Sequence, residues 1–207
     1  MSGVRVPHRP ETLNRLPPFT PLAGRRVILR TLREAEFPQV WAASLRRQSS
    51  PGRIKSREAD RLRHRIRRSG RLTLGTLDLA IDVEGRLVGD IQARHPRNAI
   101  PSGVYELGIE IYEARDHGKG YGTEAVYLLT EWLFDKLGAG RVQASTAIAN
   151  AGMRGVLERL GFSLEGIMRG FMAGPTGRED YALYGVTRAD WEGKPRPRVS
   201  AVRPAGP

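Results

Sequence analysis

The chain has 207 residues, a formal net charge of +12 and no cysteine. This length suffices for one domain with a full hydrophobic core, and the lack of cysteine excludes disulfides and thiolate chemistry. No apolar run reaches the ~20 residues of a membrane helix, residues 1–21 lack a signal-peptide pattern, and the four histidines have no metal-ligand spacing. These features predict a cytoplasmic protein without a metal or a membrane contact.

The positive charge is concentrated in the first third of the chain. Residues 1–71 have a net charge of +13, residues 72–187 of −4, and residues 188–207 of +3. Much of it lies in the segment Arg46–Arg71, which contains no aromatic residue. Such a segment predicts either a solvated helix or a surface that contacts RNA or the ribosome. The lack of aromatics argues against base stacking with single strands.

The first half of the chain contains turn signals between short periodic segments. It predicts five elements in chain order: a flexible arm over 1–23, a strand over Arg26–Leu32, a helix over Glu34–Leu45, a basic helix after the break at Ser49–Gly52, and a hairpin over Leu72–Ala93.

The second half alternates strands and helices more clearly. It predicts a strand over Val104–Tyr112 with a bulge at Gly108, a helix over Gly120–Leu137, a strand over Arg141–Ile148, a helix from the N-cap Asn150 to Leu160, a strand over Ser163–Arg169, and a Pro/Arg-rich tail over 193–207.

Three glycines at alternate positions separate the strand Val104–Tyr112 from the helix after it. The segment reads HGKGYGTE and begins at His117. Glycine lets the backbone approach a ligand closely, and a helix N-terminus offers unpaired N–H groups, so the segment predicts a main-chain phosphate site. The spacing fits neither a P-loop nor a dinucleotide fingerprint. Taken alone, it is equally typical of an ordinary strand-to-helix turn.

Three segments in order resemble the GNAT superfamily of acyl-CoA-dependent N-acyltransferases: HGKGYGTEA, AIANAGMRGVLERLGFSLEG and DYALYGVTRADW. The resemblance covers roughly residues 24–192, is weak before residue 80, and is nearest to the branch of ribosomal-protein alanine N-acetyltransferases. It implies an α+β fold with three α/β/α layers, whose mixed, mostly antiparallel central sheet is splayed between two parallel strands.

The resemblance also implies how acetyl-CoA is held. Backbone N–H groups at Ile109 and Ile111 would meet the acyl and pantetheine groups. Asn150 would contact the pantetheine or sulfur side, although it could also be only a helix cap. The diphosphate would be held by the glycine loop, to which His117 or Lys119 could add charge: His117, Gly118, Lys119, Gly120, Tyr121, Gly122 and Thr123.

Acyl transfer to an amine needs a base, and two carboxylates are candidates. Glu106 and Glu110 share one strand face because they are four residues apart, and either could take the amine proton, with Glu106 the first candidate. Many family members place a tyrosine acid where this chain has Leu157, so water, Tyr181 or Tyr184 would have to replace it. Asp180 would bind the acceptor amine or pair with Arg178.

The expected activity is transfer of an acetyl group from acetyl-CoA to a protein α-amine or lysine by a monomer or homodimer. A polyamine or an antibiotic is the near alternative acceptor. A non-catalytic CoA-binding module and an RNA-associated protein are the alternatives from other classes.

Overall fold

The computed structural model describes residues 19–47, 56–73, 75–95, 101–174 and 177–193. The strands are β1 Leu22–Ala23, β2 Ile28–Arg30, β3 Thr76–Val83, β4 Arg86–Arg94, β5 Val104–Ile111, β6 Arg141–Ala147, β7 Ser163–Gly174 and β8 Gly177–Thr187. The α-helices are α1 Phe37–Arg47, α2 Ser56–Arg67, α3 Tyr121–Leu137, α4 Ala151–Arg159 and α5 Arg188–Gly193, with 3₁₀ turns at Glu34–Glu36 and Ala114–Asp116.

The eight strands form one sheet in the order β1-β2-β3-β4-β5-β6-β8-β7. All neighbours are antiparallel except β5 and β6, which are parallel. Two hydrophobic clusters lie on opposite faces: one is formed with α3, α4 and α5, the other with α1 and α2. The predicted three-layer α+β fold with a mostly antiparallel sheet is therefore confirmed.

The parallel pair separates partway along its length. β5 and β6 pair over four residues, from Val104↔Arg141 to Leu107↔Ala144. Beyond this point β5 continues beside β4 as far as Ile111, and β6 continues beside β8. The register between β4 and β5 runs without a shift through Gly108. The bulge predicted at Gly108 is therefore wrong, because the strand keeps its β4 partner and loses only its β6 partner.

The helices and strands predicted from periodicity are present, with shifted ends. Glycine in the left-handed conformation flanks α3 at both ends, at Gly120 (φ 82°) and Gly138 (φ 63°). Leu22–Ala23, predicted within the arm, pair with β2. The predicted break at Ser49–Gly52, residues 1–18 and residues 194–207 lie outside the described residues. Among the described residues, no helix is long and apolar enough to span a bilayer.

Candidate active site

A cleft of about 820 Å³ lies where β5 and β6 separate, between the end of β5, the glycine loop and the starts of α3 and α4. Glu110 lines it, whereas Glu106 does not. All ten residues predicted to contact the coenzyme also line it: Ile109, Ile111, His117, Gly118, Lys119, Gly120, Tyr121, Gly122, Thr123 and Asn150.

The edge of β5 opposite to its β4 partner faces this cleft. The N–H of Tyr112 donates to the Val88 carbonyl on the β4 side, at 2.9 Å. Because successive residues of a strand address opposite neighbours, the peptide groups of Ile109 and Ile111 face away from β4. No strand of the described residues lies opposite them, since β6 pairs with β5 only as far as Leu107. An extended ligand could pair there as an additional strand.

The glycine loop presents main-chain amides to the same cleft. Gly118 (φ 72°) and Gly120 (φ 82°) adopt the left-handed conformation that other residues rarely take. The first helical hydrogen bond of α3 runs from Glu124 N–H to the Gly120 carbonyl, at 3.0 Å. The amides of the preceding turn, Tyr121 to Thr123, therefore have no partner within the helix. Together with the helix dipole, these amides make the turn suited to an anion.

The histidine and the lysine of the loop have protein partners. His117 Nε2 lies 3.1 Å from the Ile111 carbonyl, to which it donates, and so ties the loop to the end of β5. Lys119 Nζ lies 3.6 Å from Asp116. Asp116 is 1% exposed and accepts two hydrogen bonds from Arg86, at 2.7 and 2.9 Å. These bonds hold the pKa of Asp116 at about 2, and the ionised carboxylate fixes the loop to β4.

Asn150 begins α4 at the edge of the cleft. Its Oδ1 accepts a hydrogen bond from the Met153 amide, at 3.0 Å, which satisfies one of the free donors of the first turn. The predicted N-cap is therefore confirmed. The cap sets the position at which α4 enters the cleft wall, where Met153 and Val156 add apolar surface.

The two candidate bases occupy different surroundings on one face of β5. Glu106 lies 2.9 Å from the Arg94 guanidinium. Glu110 reaches the cleft and stands opposite Asp90 on β4. Asp90 is buried and accepts a hydrogen bond from the Tyr112 hydroxyl, at 3.1 Å. Because β6 pairs with β5 only as far as Leu107, the sheet is open beside Glu110 but not beside Glu106.

The residues considered as the acid lie outside the cleft lining. Leu157 and Tyr184 are both fully buried. The Tyr184 hydroxyl donates to Glu158, at 2.7 Å, and accepts from Arg154, at 3.3 Å. Tyr181 instead packs on Phe171 in the β7–β8 hairpin, with ring centroids 5.6 Å apart.

Asp180 and Arg178 hold the backbone of the hairpin. Asp180 accepts a hydrogen bond from the Gly170 amide, at 2.6 Å. Arg178 donates to the carbonyls of Gly170 and Phe171. Both side chains therefore stabilise the irregular stretch between Met168 and Met172, where the β7–β8 register shifts.

The basic segment Arg46–Arg71 divides its charge between surface and interior. Arg65 on α2 reaches into the sheet face and pairs with Asp90, at 2.7 Å, and with Asp78, at 3.4 Å. The guanidinium of Arg63 lies 4.5 Å above the ring of Phe37. Residues 48–55 of the segment lie outside the described residues. The described part of the segment therefore has a structural role in addition to its exposed charge.

Sequence reasoning missed eight residues that line the cleft: Arg25, Arg26, Glu124, Asp116, Gly152, Met153, Val156 and Arg159. The first three form one unit. Glu124 accepts hydrogen bonds from the backbone amides of Arg25 and Arg26, the latter at 2.9 Å. These contacts join positions 98 and 99 residues apart, so no local pattern could have indicated them.

A family model described as an acetyltransferase (GNAT) domain matches residues 26–163. No curated protein matches significantly. The solved structures include a probable acetyltransferase with 22% identity and a TM-score of 0.69, covering 83% of this chain and 99% of that one. At 22% identity, the similarity to this structure is evidence for the fold alone.

Two further solved structures have named activities. The ribosomal-protein-S5-alanine acetyltransferase of Vibrio fischeri has 18% identity and a TM-score of 0.67, covering 85% of this chain and 100% of that one. RimJ of Mycobacterium smegmatis, solved in complex with CoA-disulfide, has 20% identity and a TM-score of 0.63, covering 83% and 87%.

Proposed function

This chain belongs to the GNAT acetyltransferase family, and we propose that it transfers the acetyl group of acetyl-CoA to a primary amine of a protein or peptide, with Glu110 as the base. Family membership makes it an acyl-CoA-dependent N-acyltransferase. The observation that carries the proposal is the separation of β5 from β6 after Leu107↔Ala144, directly beside the glycine loop.

The residues present fit a donor with a diphosphate and an extended arm. The glycine loop and the first turn of α3 offer amides without helical partners, and a side chain built on Gly118 would enter space open by at least 4 Å. The edge of β5 at Ile109 and Ile111 would pair with the amide-containing arm. A bound acetyl-CoA supplies an activated thioester, which an amine can attack without a covalent enzyme intermediate.

Two steps of the reaction fall to the chain itself. Backbone N–H groups of the open β5 edge would stabilise negative charge that develops on the acyl oxygen. The carboxylate of Glu110 would take a proton from the acceptor ammonium, directly or through water, because only the neutral amine has a lone pair for attack. Leu157 cannot donate a proton, so we assign protonation of the departing thiolate to solvent.

The β7–β8 hairpin supports a protein acceptor. Glu106 stands opposite Gln143 and Gln143 opposite Gly185. Opposed residues lie on the same face of the sheet, and side chains alternate between the two faces along a strand. Glu110 is four residues from Glu106, and Tyr181 is four residues from Gly185, so Tyr181 lies on the same face as Glu110. Beside Tyr181 the hairpin exposes apolar side chains, with Phe171 46% exposed and Met172 45% exposed.

An exposed apolar surface on the same sheet face as the base suits a peptide better than a polyamine, because a polycation gains little from apolar contact. The ribosomal-protein acetyltransferases of the same fold point in the same direction. The small-molecule acceptor is the second candidate, supported by the net charge of −4 over residues 72–187, which suits a cationic acceptor.

The test follows thiol release and the mass of the acceptor with three substrates: a peptide with a free α-amine, an α-blocked peptide with one lysine, and spermidine. We expect acetylation of a peptide. Thiol release with spermidine but with neither peptide would contradict a protein acceptor.

Glu110→Gln and Glu106→Gln form a matched pair on one strand face. We expect Glu110→Gln to lower kcat by about 10²- to 10⁴-fold, the contribution usual for a positioned base. Glu106→Gln removes only an exposed ion pair with Arg94, which contributes little, and we expect kcat within about threefold of wild type. Full turnover of Glu110→Gln at saturating acetyl-CoA would exclude it as the base.

A further inference from the structure

We propose that Arg25 and Arg26 form a cationic anchor for phosphate groups of CoA, and that buried Glu124 positions them at the glycine loop. The proposal rests on the CoA-dependent function proposed above and adds a binding element that lies outside the loop. It would supply positive charge where the loop itself offers mainly backbone amides.

Glu124 fixes the backbone of this segment onto the start of α3. Its side chain is in the first turn of the helix, is 3% exposed, and accepts the amides of both arginines. A Cβ on Gly24 would lie 2.5 Å from Glu124 Oε1, so glycine is required there for the close approach. The carboxylate thus holds the turn between β1 and β2 against the N-terminus of the phosphate-binding helix.

The arginine side chains are directed to the cleft rather than to protein carboxylates. Both line it and both are exposed. Arg26 Nη1 lies 3.7 Å from the position that a Cβ on Gly120 would occupy, so the guanidinium is beside the loop. Neither guanidinium forms an ion pair with another described residue. Arg159, the third arginine of the lining, lies against its own helix instead, with Nη1 3.4 Å from the Cβ position of Gly155.

The charge balance of the loop explains why an additional cation source is needed. Lys119 is paired with Asp116, which is also bound by Arg86, and Glu124 adds a buried carboxylate to the same helix start. The described side chains of the loop therefore leave little net positive charge. CoA carries a diphosphate and a ribose phosphate, and a phosphate monoester alone carries a charge of about −1.5 to −2 at pH 7. Guanidinium groups bind such oxygens strongly through charged hydrogen bonds.

The experiment compares wild type with Arg25→Ala/Arg26→Ala and with Arg115→Ala as the control. Arg115 is exposed and lies on the 3₁₀ turn before the loop, but does not line the cleft. The alanines keep the two backbone amides that Glu124 accepts, so the thermal midpoint of the double variant should stay near that of wild type. Calorimetric titration gives Kd for CoA and for dephospho-CoA, and kcat/KM is measured with acetyl-CoA and with S-acetyl-pantetheine, which has no phosphate.

We expect the double variant to bind CoA at least about tenfold more weakly, as charged hydrogen bonds to phosphate imply, with kcat/KM for S-acetyl-pantetheine changed less than about twofold. A loss that disappears with dephospho-CoA assigns the ribose phosphate as the partner; a loss that persists assigns the diphosphate. CoA binding within twofold of wild type, an equal loss with S-acetyl-pantetheine, or an equal loss in Arg115→Ala overturns the proposal. If wild type itself binds no CoA, the proposed function fails instead.

Discussion

Gly120→Ala tests whether the conformation of the glycine loop creates the phosphate site. Gly120 precedes α3 with φ 82° and ψ 1°, and Gly138 follows the same helix with φ 63° and ψ 30°. Both positions are left-handed, where an L side chain costs about 1–2 kcal/mol. Only Gly120 lines the cleft, so Gly138→Ala is a control for the conformational strain alone.

The structure separates the strain from a steric clash. A Cβ at Gly120 would lie 3.7 Å from Arg26 Nη1, and one at Gly138 would meet no atom within 4 Å. Neither position is crowded in the free protein. We therefore expect both variants to lose about 1–2 kcal/mol of unfolding free energy, which corresponds to a fall in Tm of about 2–8 °C for a chain of this size.

The binding results should differ. We expect Gly120→Ala to raise Kd for CoA by more than about tenfold, because the loop amides would no longer converge on the phosphates. Gly138→Ala should leave Kd within about twofold of wild type. Thermal unfolding and calorimetric titration of both variants measure the two effects. Equal Kd values for Gly120→Ala and Gly138→Ala would refute the assignment of the loop as the phosphate site.

Three further predictions concern the sheet face and α4. Burial raises the pKa of Asp78 to about 6. The stability that the protonated carboxyl contributes is therefore present below the unfolded pKa and is lost as the pH rises through 6, where the buried carboxyl ionises. Because the amide cannot ionise, Asp78→Asn should gain up to about 3 kcal/mol of unfolding free energy relative to wild type between pH 4 and 7. A pH-independent difference in urea unfolding would contradict this. Arg65→Ala should cost about 3–5 kcal/mol at pH 7 by leaving Asp90 buried without its cation, and unchanged urea unfolding would show that the pair is dispensable. Asn150→Ala should cost about 1 kcal/mol through the lost bond to Met153, and Asn150→Ser should recover most of it; equal loss in both variants would exclude capping as the cause.

The features that sequence reasoning predicted correctly are encoded locally. The strand over Val104–Ile111, the turn of the glycine loop into α3 and the Asn150 cap depend on a few neighbouring residues, and the structure has all three. The sequence reasoning put Glu106 ahead of Glu110, but only Glu110 lines the cleft. Both lie on one face because of the strand period, but which of them reaches the cleft depends on where β6 leaves β5.

The features that were missed depend on contacts between distant segments. Glu124 reads as an ordinary helical glutamate, and only the fold brings it to the amides of Arg25 and Arg26. Likewise, Arg65 reads as one of several exposed cations in a basic segment. The orientation of α2 on the sheet, which turns this side chain toward Asp78 and Asp90, cannot be obtained from charge patterning alone.

The short parallel pairing between β5 and β6 is a narrow junction, here called the seam, between the two halves of the sheet. Four residue pairs join its two halves, compared with seven between β6 and β8. Beyond the seam, the amide protons of Ile109 and Ile111 face no strand in the described part of the chain, whereas those of Glu110 and Tyr112 face β4. In native-state hydrogen exchange, protection along β5 should therefore alternate from residue to residue. A strand-like ligand would close the seam and slow exchange at the two isoleucines, thereby joining the halves of the sheet into a more cooperative unit.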